Sequence, residues 1–469
     1  MVKRRKGCNF EQIFINMNLP EEFLDSIRSV IPSEEYDAFV KSLSEDEQTT
    51  SIRVNVSKMN SEEVEAHFAN ATKVGWCDEG RYLDERPQFT LDPLLHAGAY
   101  YVQEASSMFI THVIRHLIKE PVTCLDLCAS PGGKSTAAIS AMPAGSQIVS
   151  NEIDRRRARI LAENITKWGF PDATVTCNAP KDFKPLRHTV DLIITDVPCS
   201  GEGMFRKDEG AVADWSMAKV KGCAALQHEI IDDIWNCLKP GGLLIYSTCT
   251  FNIDEDERIV EYICDSLGGK ALEVPVEETW NIHKPLVGNN PCYRFMPHFT
   301  KGEGLFMAVI RKDDDDIVPM KARKPQMNTI KVEKDIRNWV TTDVVLEQNK
   351  EGVISAISTA HKELHDAIVG SGLFVLQSGV ELGMVKGKDI IPSHNLALST
   401  ILSDKAFARY EVDMPTALDY LRRQAFTLPA DAPKGFVIPT YRQHPLGFVK
   451  NLGNRCNNLY PQEWRIRKI

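Results

Sequence analysis

The sequence predicts an α/β protein built on a parallel sheet with helices on both faces, with an N-terminal α/β extension and small mixed and β-rich units at the C-terminal end. Three observations predict it. Between Pro121 and Ile310 short apolar runs alternate with helical segments, strand then loop then helix. The first run opens into a glycine-rich turn, and the second ends on an acid. The chain outside this region lacks the alternation and is divided by the charged, proline-containing stretch "KDDDDIVPMKARKPQ".

Bulk properties narrow the classes. At 469 residues the chain can hold roughly two to four domains. Its 43% hydrophobic and 25% charged residues are those of an ordinary globular protein. No apolar run approaches the ~20 residues that cross a bilayer. The basic start "MVKRRKGCNFEQ" lacks the apolar core of a secretion signal, so a cytoplasmic protein without membrane contact is expected. Twelve cysteines without a C-x-x-C pair make neither a disulfide framework nor a zinc site, and no metal is expected. A net charge of −9 argues against indiscriminate nucleic-acid binding. The last segment departs from that balance: Lys434, Arg442, Lys450, Arg455, Arg465, Arg467 and Lys468 face one acid, Glu463.

In chain order, residues 1–95 read as an extension of helices followed by the strand "TSIRVNVSK". Residues 96–312 hold the alternating region, with strands "TCLDLC", "SQIVSNE", "ATVTCN", "DLIITDV", "GGLLIYST" and "GLFMAVIR". "RRRARILAENITKWG" and "AALQHEIIDDIWNCLK" are helices between them. A linker follows at 313–328, then a small intermediate unit at 329–385. The β-rich unit at 386–469 contains the short runs "GFVIPT" and "LGFVK".

"CLDLCASPGGKS" is a strand, an acid and a turn opening a helix. A phosphate-binding P-loop would need glycine at the position of Cys128, and the dinucleotide pattern G-x-G-x-x-G is absent. What remains is bare backbone that a ligand can approach closely, at a helix N-terminus. Glu152 in "SNEID" is placed to accept hydrogen bonds from ribose hydroxyls. A cofactor with a ribose and no phosphate fits both features, and S-adenosylmethionine is the common one.

Two further strands end in cysteine loops, "TDVPCSGEG" and "YSTCT". Asp196 and Cys199 should face the crevice at the strand ends, and Cys249 should lie beside them if the two strands are neighbours. Spacing alone leaves a disulfide, or either thiolate as nucleophile, open. Chemistry narrows the reaction. Carbon 5 of a pyrimidine accepts a methyl group only after a thiolate adds to carbon 6. A carboxyl group at N3 stabilises the charge that develops there. A base must then remove the carbon 5 proton. One acid, two thiols and a methyl donor match cytosine C-methylation.

These motifs resemble the RNA (cytosine-5-)methyltransferase family that includes the bacterial Sun-type enzymes. The resemblance covers about two-thirds of the chain, through "SIRVN", "YYVQEASSM", "ASPGGKS", "DVPCSGEG", "YSTCT" and "RFMPHFTKGEGLF" in order. "KGKDIIPSH" and "GFVKNLGNRCNNLYPQEWRI" are similar to the RsmF-type rRNA methyltransferases with a terminal PUA-like module. The resemblance implies a Rossmann-like methyltransferase sheet. It implies that Cys128, Ala129, Ser130, Pro131, Gly132, Gly133 and Lys134 surround S-adenosylmethionine, that Glu152 holds its ribose, and that Asp196 lies between cofactor and base. It implies Cys249 as the nucleophile, with Cys199 assisting product release. Many relatives carry an acid after the third strand for the adenine amino group. Here "TCNAPKDF" has none at that place, and Asn178, Asp182 or a backbone carbonyl is expected to substitute.

Around this centre, Arg206 and Lys207 are candidates for RNA phosphates, as are Arg442, Lys450, Arg455 and Arg465 with Tyr441, Tyr460 and Trp464 nearby in sequence. Trp215 reads as a core residue, and His298 as pinning its loop rather than acting as a base. Arg53 and Asn55 are structural or RNA-facing. The expected activity is S-adenosylmethionine-dependent formation of 5-methylcytosine in 16S-type ribosomal RNA, by a monomer acting on naked RNA or on the small subunit. Transfer RNA is the alternative substrate, and a non-catalytic ribosome-assembly factor the alternative class.

Overall fold

The structure, a computed structural model, describes residues 19–44, 49–313 and 334–467. The basic N-terminal stretch and nearly all of the charged linker lie outside the described residues.

The N-terminal unit starts with helices Glu21–Arg28 and Ser33–Ser44. Its sheet has β1 (Thr50–Val54), β2 (Thr72–Val74), β3 (Cys77–Leu83) and β4 (Tyr100–Val102) in the order β2-β3-β1-β4. This sheet runs past the expected boundary at 95, because β4 pairs antiparallel with β1. Every residue of β1 is buried. Arg53 among them is fully buried and reaches into the next unit: Nε donates to Gln103 Oε1 at 2.8 Å, Nη1 to Ser140 Oγ at 3.1 Å and Nη2 to Thr136 Oγ1 at 2.6 Å. Its guanidinium lies 4.5 Å from the centre of the Trp168 ring. Asn55 likewise donates to the carbonyls of Gly98 and Trp168, so both residues are structural.

The central sheet comprises β5 (Thr123–Asp126), β6 (Gln147–Asn151), β7 (Ala173–Thr176), β8 (Val190–Asp196), β9 (Leu238–Thr248), β10 (Gly269–Ala271), β11 (Tyr293–Phe295) and β12 (Leu305–Lys312). The order is β10-β12-β9-β8-β5-β6-β7, with β11 paired to β12. From β9 to β7 all neighbours are parallel, as expected. The sheet as a whole is mixed, because β12 runs antiparallel to β9. Alternate residues feed two cores: Cys124, Ile148, Ile194 and Ile245 on one face, Leu125, Val149, Ile193 and Leu244 on the other. The chain reverses its winding at β5, which pairs with both β6 and β8. Ligands of such sheets bind at that switch point, beyond the carboxyl ends of the strands.

Helix Arg155–Trp168 begins where Asp154 accepts hydrogen bonds from the amides of Arg156 and Arg157, and ends at Gly169, whose φ of 83° suits glycine. Helix Met217–Ile234 starts earlier than the apolar pattern suggested, at the Ser216 cap, and its last expected turn gives way to β9 at Leu238.

The segment expected as a small intermediate unit at 329–385 contributes to two sheets. Strands Val344–Gln348, Val353–Ser358, Val380–Lys386 and Asp389–Pro392 form its own sheet, which crosses the expected boundary at 385. Strand Val375–Ser378 instead leaves it and pairs antiparallel with β7, at the edge of the central sheet. The C-terminal β-rich sheet follows, from Ala408–Glu411 to Cys456–Asn458. It packs on the N-terminal unit through Tyr460 and His96 at 3.3 Å and through His444 and Glu63 at 3.3 Å. No described helix is long and apolar enough to cross a membrane.

Replacing Arg53 with Met would strand the buried acceptors of Gln103 and Thr136. Urea unfolding should then show a loss of about 3 kcal/mol. A variant as stable as wild type would contradict the bracing role.

Candidate active site

Strands β8 and β9 are adjacent and parallel, with Asp196 opposite Ser247. The loops that follow therefore leave the sheet at the same end, and they bring Cys199 Sγ within 3.2 Å of Cys249 Sγ. That is a thiol–thiol hydrogen bond, longer than the ~2.05 Å of a disulfide. Both cysteines are half-buried. The hydrogen bond that its S–H donates to Cys249, together with burial, pushes the Cys199 thiol well above its ordinary value. Cys199 therefore keeps its proton at neutral pH.

Two buried carboxylates tie the cysteine loops together. Glu202, in the first loop, accepts from the amides of Phe251 (2.7 Å) and Asn252 (3.0 Å) in the second. Its other oxygen accepts from Trp215 Nε1 and Asn252 Nδ2. Glu255, from the second loop, accepts from the Ser200 amide at 2.9 Å and from Gln227 Nε2 at 2.9 Å. Burial raises both carboxyls above the usual range. Gly203 donates its amide to the Cys249 carbonyl at 2.8 Å, and a Cβ at Gly203 would press on that oxygen at 3.1 Å.

Asp196, at the end of β8, is held by two donors on one oxygen. Lys134 Nζ lies 2.9 Å from Oδ1, and Ser247 Oγ donates to it at 2.9 Å. Burial alone would lower the Lys134 ammonium. Asp196 outweighs it, with a smaller contribution from Cys249, and the net shift is upward. Lys134 thus stays charged between the acid and the cysteine pair.

The glycine-rich turn lies next to this group. Gly132 has a φ of 112°, open to glycine and strained for other residues, and helix Gly133–Ala141 starts directly after it. The turn is clamped from helix Arg155–Trp168: Arg157 Nη2 donates to the Ser130 carbonyl, Ser130 Oγ to the Arg157 carbonyl, and Asn164 Nδ2 to the Pro131 carbonyl. A cavity of about 200 Å³ opens between this turn and β4, lined by Tyr101, Gln103, Glu104, Cys128, Lys134 and Asp196 among others. Burial pushes the Cys128 thiol up, so it meets the cavity as a neutral group. Gln103 Nε2 is buried without a hydrogen-bond partner, although Arg53 fixes the other end of its amide. A cavity with a bare-backbone floor, a neutral thiol and an unspent buried donor fits a polar nucleoside cofactor.

Comparison with known proteins agrees with this geometry. The family model for the 16S rRNA methyltransferases RsmB/F matches residues 117–311, that for the N-terminal domain of RsmF residues 19–105, and that for the RsmF PUA domain residues 407–466. The chain belongs to the RsmF-type methyltransferase family. It is 28% identical over 470 residues to the ribosomal RNA small subunit methyltransferase F of Enterobacter sp. (strain 638), covering 95% of each chain. The protein of the same name from Photobacterium profundum is 27% identical over 483 residues, covering 95% of this chain and 97% of that one. Two crystal structures from Pyrococcus horikoshii share the fold. NSun6 with SFG has a TM-score of 0.55 at 20% identity, covering 63% of this chain and 99% of its own. A methyltransferase homologue has a TM-score of 0.55 at 24% identity, covering 64% and 97%.

In this RsmF-family chain most expected site residues converge. Cys199, Cys249, Asp196 and Lys134 form one group, and Cys128, Ala129, Ser130, Pro131 and Gly133 line the adjoining cavity. Glu152 directly follows β6; Oε1 accepts from the Asp154 amide and Oε2 lies 3.3 Å from Arg157 Nη1. Asn178 requires a correction. Its amide holds Phe374, donating to that residue's carbonyl at 3.1 Å and accepting from its amide at 2.8 Å, which gives it a structural role at the place expected for the adenine. Asp182 is likewise engaged by the Ala179 amide.

Arg206 is the second correction. Its side chain is 8% exposed and paired with Glu303 at 2.9 Å, which commits it to loop structure rather than RNA. Lys207 is exposed but leans on the same carboxylate at 3.3 Å. Arg442, Arg455 and Arg465 are exposed, and Lys450 lies 5.2 Å from the centre of the Phe436 ring. Trp215 is buried against Phe23 as expected, and His298 packs on Phe39. The sequence reading assigned no role to Tyr101, Gln103 or Glu104. Their one signal was "YYVQEASSM", whose place beside the glycine turn depends on β4 pairing with β1.

Asp126, at the end of β5, gives the site a pH dependence. Ser135 Oγ donates to Oδ2 at 2.6 Å, yet burial raises the carboxyl to about 7. The folded chain retains this proton above the ~3.9 of a free carboxyl. Stability therefore falls as pH rises through that interval and the loss is complete above about pH 7. Asp126→Asn should gain melting temperature relative to wild type between about pH 5 and about pH 8 by calorimetry. A difference independent of pH would refute the assignment.

Proposed function

We propose that this chain methylates carbon 5 of a cytosine in small-subunit, 16S-type ribosomal RNA through a covalent cysteine–cytosine adduct. The observation that carries the reading is the pair of sulfurs 3.2 Å apart beside the Lys134–Asp196 pair. The glycine turn and Glu152 would hold S-adenosylmethionine, which would supply an electrophilic methyl group.

The residues divide the work. Cys249, the thiol at the end of β9, adds as a thiolate to carbon 6 of the ring. The family resemblance gives the nucleophile's role to Cys249, and Cys199, whose S–H lies against it at 3.2 Å, is left as its partner. As charge builds on the ring, N3 meets Asp196 and the Lys134 ammonium, which share the proton it acquires. Carbon 5, now nucleophilic, takes the methyl group. A base or water then removes the carbon 5 proton, the electron pair of that bond restores the ring double bond, the carbon–sulfur bond breaks, and the N3 proton returns to the Asp196–Lys134 pair. The departing Cys249 thiolate is met by the Cys199 S–H group 3.2 Å away. This gives Cys199 its place in product release.

The substrate follows from the relatives' shared name, ribosomal RNA small subunit methyltransferase F. The PUA domain with exposed Arg442, Arg455 and Arg465, and Lys450 beside them, is the surface proposed for RNA phosphates. The protein acts in the cytoplasm as a monomer, on RNA that presents one unstacked cytosine.

Cys249→Ala should abolish tritium transfer from labelled S-adenosylmethionine to RNA. Cys199→Ala should instead accumulate an RNA–protein adduct that survives denaturing gels. Adducts kept by Cys249→Ala and lost in Cys199→Ala would exchange the two roles. Bisulfite sequencing of total RNA with and without the gene should show a lost cytosine mark in small-subunit rRNA; a mark lost only from transfer RNA would overturn the substrate.

A further inference from the structure

We infer that the strand donated by the intermediate unit completes the cofactor site, and that the Phe374 ring is the wall on which the adenine base stacks. The inference rests on the cofactor reading above and extends it to a residue far from the methyltransferase motifs.

Glu152 places the ribose at the end of β6, so the attached base must lie toward the end of β7, the next strand. At that place the structure gathers exposed apolar surface. Ile153, directly after Glu152, is 62% exposed, and Phe374 is 54% exposed. The two belong to one spot: Cys177 Sγ contacts the Ile153 carbonyl at 3.5 Å, and the Cys177 amide donates to the Phe374 carbonyl at 3.0 Å.

The Phe374 ring is exposed, yet its backbone is fixed. Asn178 accepts from its amide and donates to its carbonyl, Cys177 donates to the same carbonyl, and the following residues pair with β7. Leu373, its neighbour, is buried in the central core, which anchors the segment from the other side. Three hydrogen bonds and a core anchor thus hold an aromatic side chain in water. An arrangement that leaves so large an apolar ring exposed on a fixed backbone suits a flat apolar ligand. Arg155 adds to it, with its guanidinium 5.8 Å from the ring centre.

The same contacts explain why no acid follows β7. The side chain that would read the amino group of the base is Asn178, and it is used to position Phe374. Recognition passes from a polar contact to stacking between Phe374 and Ile153. Stacking of a base on an aromatic ring supplies comparable affinity without hydrogen-bond readout.

The test is calorimetric titration of the full chain with S-adenosylhomocysteine, using wild type, Phe374→Ala and Phe374→Trp. Wild type should bind. Phe374→Ala should bind about tenfold more weakly, while Phe374→Trp retains affinity. The emission of the introduced tryptophan should also be quenched on ligand addition beyond any change in wild type. Unchanged affinity in Phe374→Ala would overturn the inference alone. If that variant does not fold, an unquenched Phe374→Trp would overturn it instead. A wild-type chain that does not bind S-adenosylhomocysteine would remove the cofactor reading, and this inference with it.

Discussion

Two carboxylates out of contact with water, Glu202 and Glu255, hold the two cysteine loops in place. Each sits in one cysteine loop and accepts amide hydrogen bonds from the other. Burying an ionisable group in this way is unfavourable, as the raised carboxyls show. The arrangement persists because nearly every oxygen lone pair finds a donor, and charged acceptors make hydrogen bonds worth about 1.5–3 kcal/mol each. The sulfur–sulfur distance of 3.2 Å follows from this cross-tie. Neither loop is regular structure, and neither would hold a thiol at that separation alone.

The sheet provides the coarse placement that the cross-tie refines. Parallel pairing of β8 with β9 brings both loops to the same end, and the reversal at β5 opens the crevice next to them. The N-terminal unit then closes the crevice from above. Arg53 is buried without a carboxylate ligand, and its charge is spread over neutral acceptors and the face of Trp168, which lets its pKa fall to about 10 and still leaves it protonated. Through that one side chain the extension fixes both Gln103 in the cavity wall and the helix that follows the glycine turn. The extension thus supplies part of the wall of the candidate site.

The intermediate unit contributes in a similar way from the opposite edge. Its strand on β7 removes an exposed sheet edge, and the Asn178 amide binds it down. The segment that enters this strand, at Phe374, lies at the carboxyl end of β7, on the side of the sheet from which the cysteine loops leave β8 and β9.

Much of this was legible from residues alone. Short apolar runs located β5 to β9 within a few residues, because strands buried on both faces must be apolar throughout. The glycine turn, Glu152, Asp196 and the two cysteines were legible because their chemistry demands particular residue types at strand ends. Other features were decided only in three dimensions. Asn178 and Arg206 have the composition of ligand-binding residues, and only tertiary contacts with Phe374 and Glu303 show that they serve the fold. That the two cysteines meet at all depends on a contact between residues fifty apart in sequence and 3.2 Å apart in space. Local sequence determines strands, turns and reactive groups, since these rest on side-chain type and spacing. Which groups are exposed, paired or charged is decided by packing, since burial and partnership arise only when distant segments meet.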